Sequence, residues 1–354
     1  MKCIGCTKPW IYKIIIFLLT MLNYDIAVVG CGFVGTHLAK YLSKFYSIRT
    51  FDINPQSENM KRYNIPHKIC DIRDKKDISK KLENPSIVIH TVATDVLKTD
   101  ENKRLSYEIN ILGTQNVCEV VANHSNIRGL ILTSSWHVFG EQELHGTINE
   151  SFGYRPDKVE YRARLYALSK ISQECIIRFF DEMFPKKYFG AIRLGTVLAE
   201  DMKDEIAVNL FINQALNGKE ITPYKHSMHR PMLFITINDV CKAFKSFVEV
   251  IFSKEKTQTS SIEHIINLAH PNPMSILDVA EMIKRSIEKH SNGKIIPIVS
   301  IVDKNLPQFF DVEDKNRINF DVTKIHNFLK IDKLVEPEMF IDNLIKKRIS
   351  ELSK

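Results

Sequence analysis

Short apolar runs alternate with amphipathic stretches through the first half of this chain. Residues 25–29 (DIAVV), 48–51 (IRTF), 87–93 (IVIHTVA), 129–135 (GLILTSS) and 191–197 (AIRLGTV) are brief, mostly apolar and rich in β-branched side chains, which predicts strands. Between them the period changes. Residues 36–45 place Leu38, Tyr41, Leu42 and Phe45 at helical spacing, and residues 161–180 (YRARLYALSKISQECIIRFF) keep the same period. Strands alternating with helices in this way form βαβ units, so the first half reads as an α/β protein on a parallel sheet.

One turn in this pattern carries chemistry. Gly30-Cys31-Gly32-Phe33-Val34-Gly35 joins the first strand to the helical stretch that follows. G-x-G-x-x-G has meaning in this strand–turn–helix setting, where it binds a dinucleotide. Gly30 makes the tight turn and Gly32 lets the backbone approach a pyrophosphate. Gly35 lets the helix pack closely on the strand, with its N-terminus on the phosphates. Phe33 and Val34 fill the rest of the cofactor loop. The stretch Ile48 to Phe51 then ends in Asp52, about 20 residues further on. A carboxylate there accepts hydrogen bonds from both ribose hydroxyls and repels a 2′-phosphate, so NAD is expected over NADP.

A second pair stands in YALSK. Tyr166 and Lys170 are one helical turn apart, so the phenol and the ammonium share a face. A free tyrosine titrates near ~10 and is a poor base at neutral pH. A fixed cation beside it is expected to favour the phenolate. Such a tyrosine takes a proton from an alcohol or returns one to a carbonyl.

In these motifs the chain resembles the extended short-chain dehydrogenase/reductase family, the NAD-dependent epimerase/dehydratase group. After GCGFVG and Asp52 come CDIRD, IVIHTVA, NILGTQNV (110–117), TSSWHVFG (133–140), YALSK, AIRLGTV, FITINDVCKAF (234–244) and INLAHPNPMSILDVAEMI (266–283), in the family's order. The resemblance covers roughly residues 25 to 285. It implies a Rossmann-type doubly wound parallel sheet over residues 22–195. A smaller C-terminal substrate-binding domain would follow over 196–354, with segments returning to the sheet. It implies cofactor contacts from Asp71, Ile72, Ala93 and Asn110, and from Lys170 to the nicotinamide-ribose. It implies Ser135, Tyr166 and Lys170 as the catalytic set, Ser135 holding the reacting oxygen beside Tyr166. A homodimer is the assembly it implies.

The residues around Ser135 discriminate among members. Dehydratases of the group carry an Asp-Glu pair directly after the equivalent hydroxyl residue, whereas this chain has Trp136 and His137. The dehydratase reading is therefore lowered. His137 is either an added acid–base group or a hydrogen-bonded structural histidine. Trp136 is a pocket wall or an aromatic floor for a sugar ring. Thr196 stands where nucleotide-sugar enzymes of the group show an asparagine. Their glycine-rich turn before a diphosphate-binding arginine reads Tyr224-Lys225-His226-Ser227 here. Arg230, helped by Lys225 or His229, is either that diphosphate anchor or part of a solvated basic loop. The segment 217–230 is expected to lie over the substrate.

Composition changes little in this picture. The chain has 354 residues, is 44% hydrophobic and carries a net charge of +7 spread along its length. That charge reads as a solvated surface able to attract an anionic substrate; a small-molecule substrate is the expected partner, and no nucleic acid is expected. Seven cysteines, scattered and odd in number, suit reduced thiols in a cytoplasm, and the lone C-x-x-C of Cys3 and Cys6 predicts no metal site. The apolar run Ile14 to Leu22 is shorter than the ~20 residues of a spanning helix, so no stable membrane insertion is expected. Residues 1–21 are expected to be an extension, with Met21 as the natural start, or else a short membrane-associating arm. Three functions stay open: a nucleotide-sugar epimerase, a reductase or dehydrogenase of a non-nucleotide alcohol or ketone, and a non-catalytic nucleotide sensor or RNA-binding protein of the same fold.

Overall fold

The structure is a computed structural model that describes residues 23–257 and 260–352. The expectations for the start at Met21 and for Cys3 and Cys6 fall outside the described residues. Seven strands form one parallel sheet: β1 (Asn23–Val29), β2 (Ile48–Asp52), β3 (His67–Ile69), β4 (Asn84–His90), β5 (Gly129–Ser135), β6 (Tyr188–Leu194) and β7 (Ile265–Leu268). Their order is β7-β6-β5-β4-β1-β2-β3. The order reverses between β1 and β4, and ligands of open α/β sheets bind at that crevice, off the carboxyl ends of the strands.

Both faces of the sheet are covered at its centre, where every residue of β5 and β6 is buried. Successive residues of a strand point to opposite faces. Ile26 and Val28 pack in one cluster with Leu38 of helix α1 (Phe33–Leu42) and with Phe244 and Phe247 of the helix Ile237–Ser253. Ala27 and Val29 pack in the other cluster with Val117 of α2 (Thr114–Asn123) and with Ile177 and Phe180 of α3 (Tyr161–Met183). A third cluster gathers Leu198, Phe211, Ile283 and Ile341, with Trp136 joining it from the end of β5. The segment that supplies β7 comes late in the chain and pairs with β6 at Ile265–Ala191 through Leu268–Leu194.

Helix α1 begins at Phe33, three residues before the stretch the apolar spacing marks out. Gly32 is its extended cap at φ −69°, ψ −163°, and the first helical hydrogen bond runs from the Thr36 amide to the Gly32 carbonyl at 3.0 Å. Phe33, Val34 and Gly35 therefore form the first turn, which a pattern of buried side chains alone does not reveal. The segment 217–230 contains one 3₁₀ turn, Lys225–Ser227, and is tied to a later segment by bridges Ile221–Val299 and Tyr224–Val302. Among the described residues no helix is long and apolar enough to cross a membrane, and no group of three or more His, Cys, Asp or Glu is placed to hold a metal ion.

Candidate active site

The glycine loop leaves β1 with Gly30 at φ +101°, a left-handed conformation that an L side chain resists. A methyl group on Gly35 would stand 1.9 Å from the Gly30 carbonyl oxygen, so α1 can cross the loop this closely only with glycine there. A methyl on Gly32 would meet nothing within 4 Å. The loop backbone is thus bare on the side where a pyrophosphate would come. No side chain caps the N-terminus of α1 and no acidic residue occupies its first turn, so its free amides face that side with the positive end of the helix dipole. Asp52, at the end of β2, accepts the Cys31 amide at 2.6 Å and the Asn54 amide at 2.9 Å. A cavity of about 210 Å³ lined by Gly32, Asp52, Asn54, Pro55 and Ser57 lies beside it. These features fit a dinucleotide.

The other expected cofactor residues take mixed positions. Ala93 is half-buried in the segment after β4. Asp71 accepts from Arg73, with its closest contact at 2.6 Å. Ile72 is buried against Gly113. Asn110 is wholly buried. It accepts the Thr94 amide at 2.9 Å and donates to the Ser169 hydroxyl at 2.9 Å, so it pins the loop after β4 to α3.

Ser135 closes β5, and α3 carries Tyr166 and Lys170 past it. Lys170 is buried, lies 5.9 Å from the centre of the Tyr166 ring and donates to the Thr133 carbonyl at 2.9 Å. The expected lowering of the phenol does not occur. Burial pushes Tyr166 up to about 12; the adjacent Ser135 hydroxyl pulls it back in part, and Asp95 adds to the rise. Burial also brings the Lys170 amine down to about 8, against the pull of Glu174. The Lys170 ammonium is buried and drawn to a strand carbonyl rather than to the half-buried phenol. Ser134, next to Ser135, points elsewhere. Its hydroxyl donates to buried Glu174, which holds Arg193 at 2.9 Å.

A second set lies behind Ser135 and joins His137 and Arg230 to two carboxylates. The His137 Nδ1 is 3.0 Å from the Ser135 hydroxyl, and the His137 amide donates to that same oxygen at 3.3 Å. The His137 ring stands edge-on to the Tyr166 ring, centres 5.9 Å apart. Its far nitrogen, Nε2, lies 3.2 Å from Glu141, whose side chain is completely buried. Arg230 reaches Glu141 at 3.8 Å and Glu160 at 3.1 Å. Burial raises the Glu141 carboxyl, but the Arg230 charge and the His137 contact outweigh it and hold the group well below its usual value. Glu141 and Glu160 were not singled out from sequence. The one available signal was the position of Glu141, four residues after His137.

Three expectations change accordingly. Arg230 is only 9% exposed and its guanidinium is engaged by carboxylates, so it is not the open anchor or the solvated loop residue that its position suggested. Trp136 is 2% exposed and belongs to the core beside Phe139, so it offers no floor to a sugar ring. Lys225 is paired with Asp303 at 2.9 Å on the outer surface. Thr196 opens a short strand, Thr196–Leu198, and its amide donates to the Leu233 carbonyl at 2.7 Å.

A doubly wound sheet, a dinucleotide loop at its first turn and a Ser–Tyr–Lys set at its carboxyl end define a short-chain dehydrogenase/reductase of the extended type. The profile of the NAD dependent epimerase/dehydratase family matches residues 26–269, and the chain belongs to that family. NAD is the family's cofactor. The fold is similar to that of a UDP-N-acetylglucosamine 4-epimerase from Methanobrevibacter ruminantium M1 solved with UDP-N-acetylmuramic acid. The TM-score is 0.72 at 22% identity, over 93% of this chain and 99% of that one. It is also similar to a UDP-glucose 4-epimerase from Thermus thermophilus solved with NAD, with a TM-score of 0.70 at 20% identity over 92% and 99%. Bovine sterol-4-alpha-carboxylate 3-dehydrogenase, decarboxylating, is 31% identical over 195 residues. That match spans 54% of this chain and only 50% of the bovine protein.

Proposed function

We propose that this protein moves a hydride reversibly at a secondary alcohol or ketone, acting on a nucleotide sugar in the manner of a 4-epimerase. The observation that carries this reading is the convergence of Ser135, Tyr166 and Lys170 at the carboxyl end of the sheet, beside a glycine loop shaped for a dinucleotide. NAD, held along Gly30 to Gly35 with its ribose at Asp52, supplies the hydride acceptor and donor. Ser135 holds the reacting oxygen by its hydroxyl. Tyr166 gives that oxygen a proton when it is a carbonyl and takes one when it is a hydroxyl. Lys170 orients the cofactor ribose from the same face of α3. Similarity to solved UDP-sugar 4-epimerases supports the nucleotide-sugar substrate.

Arg230 favours a second reading. Its engagement by Glu160 and Glu141 removes the expected diphosphate anchor, and a substrate without a diphosphate needs none. The similarity to a sterol dehydrogenase supports that alternative, a dehydrogenase of a non-nucleotide alcohol or ketone. A purely non-catalytic role sits poorly with an intact Ser–Tyr–Lys set. A thermal-shift screen separates these readings, because a ligand that binds the native state raises its melting temperature. NAD should raise it more than NADP. UDP-, TDP- or GDP-sugars should raise it further in the NAD-loaded protein. Silence from all three classes would move the assignment to the second reading.

A further inference from the structure

We propose that the amino end of the sheet is a docking surface for a bilayer containing anionic phospholipid. The protein would lie on that bilayer without spanning it, with the Ser–Tyr–Lys set turned away from the lipid. The inference stands apart from the catalytic reading and does not depend on it.

The strands of the sheet all run the same way, so their starts share one end of the molecule. Asn23 opposite Asn84 opens β1 and β4, and Gly129 opposite Tyr188 opens β5 and β6. Ser135 closes β5 about 20 Å away, at the ~3.3 Å rise of a strand residue. The starting end carries an aromatic group that the core does not absorb. Phe45 is 52% exposed. Its ring lies 6.4 Å from that of Tyr46, and Tyr46 stacks on Phe252 at 5.8 Å. The Asp25 amide donates to the Ser47 carbonyl at 3.0 Å, which sets Tyr46 beside the start of β1. Arg128, exposed just ahead of β5, donates to the Phe252 carbonyl at 3.1 Å and sits 5.9 Å from the Phe252 ring. It also lines a cavity of about 600 Å³ with Lys186, Lys254, Glu255 and Lys256.

The charges at this end are uneven. Lys256 is neutralised by buried Asp181 at 2.7 Å, and Lys245, over the Phe45 ring, is paired with Glu249. Asp25 accepts the Ser47 hydroxyl at 2.9 Å. That leaves Arg128, Lys186 and Lys254 against Glu255, and among the described residues none of these three cations is paired with a carboxylate. An open, positive recess beside exposed rings fits a phospholipid surface. The cations meet the anionic head groups, and the rings enter the zone between head group and acyl chain. A soluble anion would use the recess and leave Phe45 bare. Covalent order points to the same occupant. Asn23 follows directly on the apolar run Ile14 to Leu22, which Lys8, Trp10, Tyr12 and Lys13 precede. Basic and aromatic residues flanking a short apolar run are the composition of an interfacial segment. That run joins the fold at the end that carries Phe45 and Arg128, opposite the end that holds Ser135.

Vesicle co-sedimentation of the full chain tests this. The protein should pellet with vesicles of mixed phosphatidylserine and phosphatidylcholine, less with phosphatidylcholine alone, and should be released as salt rises. Lys186→Gln combined with Lys254→Gln should weaken binding to the mixed vesicles about thirtyfold, at roughly 1 kcal/mol per basic residue near an anionic surface. Phe45→Ser should weaken binding to both kinds of vesicle. These side chains are exposed and lie away from the glycine loop, so melting temperature and NAD affinity should match the wild type in every variant. A wild type that does not bind vesicles overturns the proposal. Unchanged binding in both variants also overturns it, because the N-terminal run would then act without this surface. A melting temperature raised by inorganic phosphate, or binding of single-stranded RNA, in protein that ignores vesicles overturns it in favour of another ligand.

Discussion

The Arg230 guanidinium lies 3.1 Å from the Glu160 carboxylate, across a gap of seventy residues in sequence, and both side chains are almost sealed from water. Arg162 approaches the same Glu160 oxygen at 2.8 Å from the rim. The pair ties the loop that ends at Arg230 to the entrance of α3, and hence to Tyr166. It makes Arg230 a part of the protein's own charge balance before any substrate arrives.

Replacing Arg230 with methionine should therefore destabilise the fold by about 3 kcal/mol, because Glu141 loses its buried counter-charge and Glu160 keeps only Arg162 at the rim. Denaturant unfolding measures this. NAD affinity should not change, since the glycine loop is untouched. An arginine serving only as a substrate anchor predicts no loss of stability, and that result would reject the structural role.

The two later loop glycines should behave differently. Gly35→Ala places a methyl against the Gly30 backbone oxygen, which cannot yield, so both melting temperature and NAD binding should drop. Gly32→Ala meets open space and sits at φ −69°, an ordinary angle for alanine. Its melting temperature should stay near the wild type while NAD affinity falls, since the methyl occupies the pyrophosphate's approach. Calorimetric titration beside a melting curve reads both. Equal NAD affinity in Gly32→Ala and wild type would remove the pyrophosphate from that position.

Asp52→Asn keeps an acceptor for the Cys31 amide and removes the charge that repels a 2′-phosphate. A charge-assisted hydrogen bond is worth roughly 1.5–3 kcal/mol, so the preference for NAD over NADP should narrow roughly ten- to a hundredfold. Titration of each cofactor into each protein checks this, and a wild type that prefers NADP would reverse the assignment.

Lys170 should make stability depend on alkaline pH. Its amine is depressed to about 8 in the fold against 10.5 when free. Below about 8 both states hold the proton, so the cost of burying the charge is fully present. Between 8 and 10.5 the unfolded state holds more protons than the folded one, and stability rises with pH. Lys170→Met lacks this cost at every pH. The melting-temperature difference, variant minus wild type, should thus decrease from pH 8 to pH 10. A constant difference would mean that Lys170 titrates normally.

Local order in the sequence determined much of this protein. The strand–turn–helix around Gly30 to Gly35, Asp52 at the end of the next strand, and the one-turn spacing of Tyr166 and Lys170 are all short-range relationships. Period and turn chemistry express such relationships directly. The family's motif order extended them to Ser135 and to the parallel sheet. What the sequence could not express is how buried charge is settled. Whether Lys170 lowers Tyr166 depends on a carbonyl from β5 and on how completely α3 excludes water. Whether Arg230 is open depends on Glu141 and Glu160, which the chain brings to it only when the end of β5, the start of α3 and the segment before β7 meet. A charge leaving water must find its partner wherever the packed fold provides one, so only the tertiary structure decided which carboxylates meet Arg230 and which carbonyl takes Lys170.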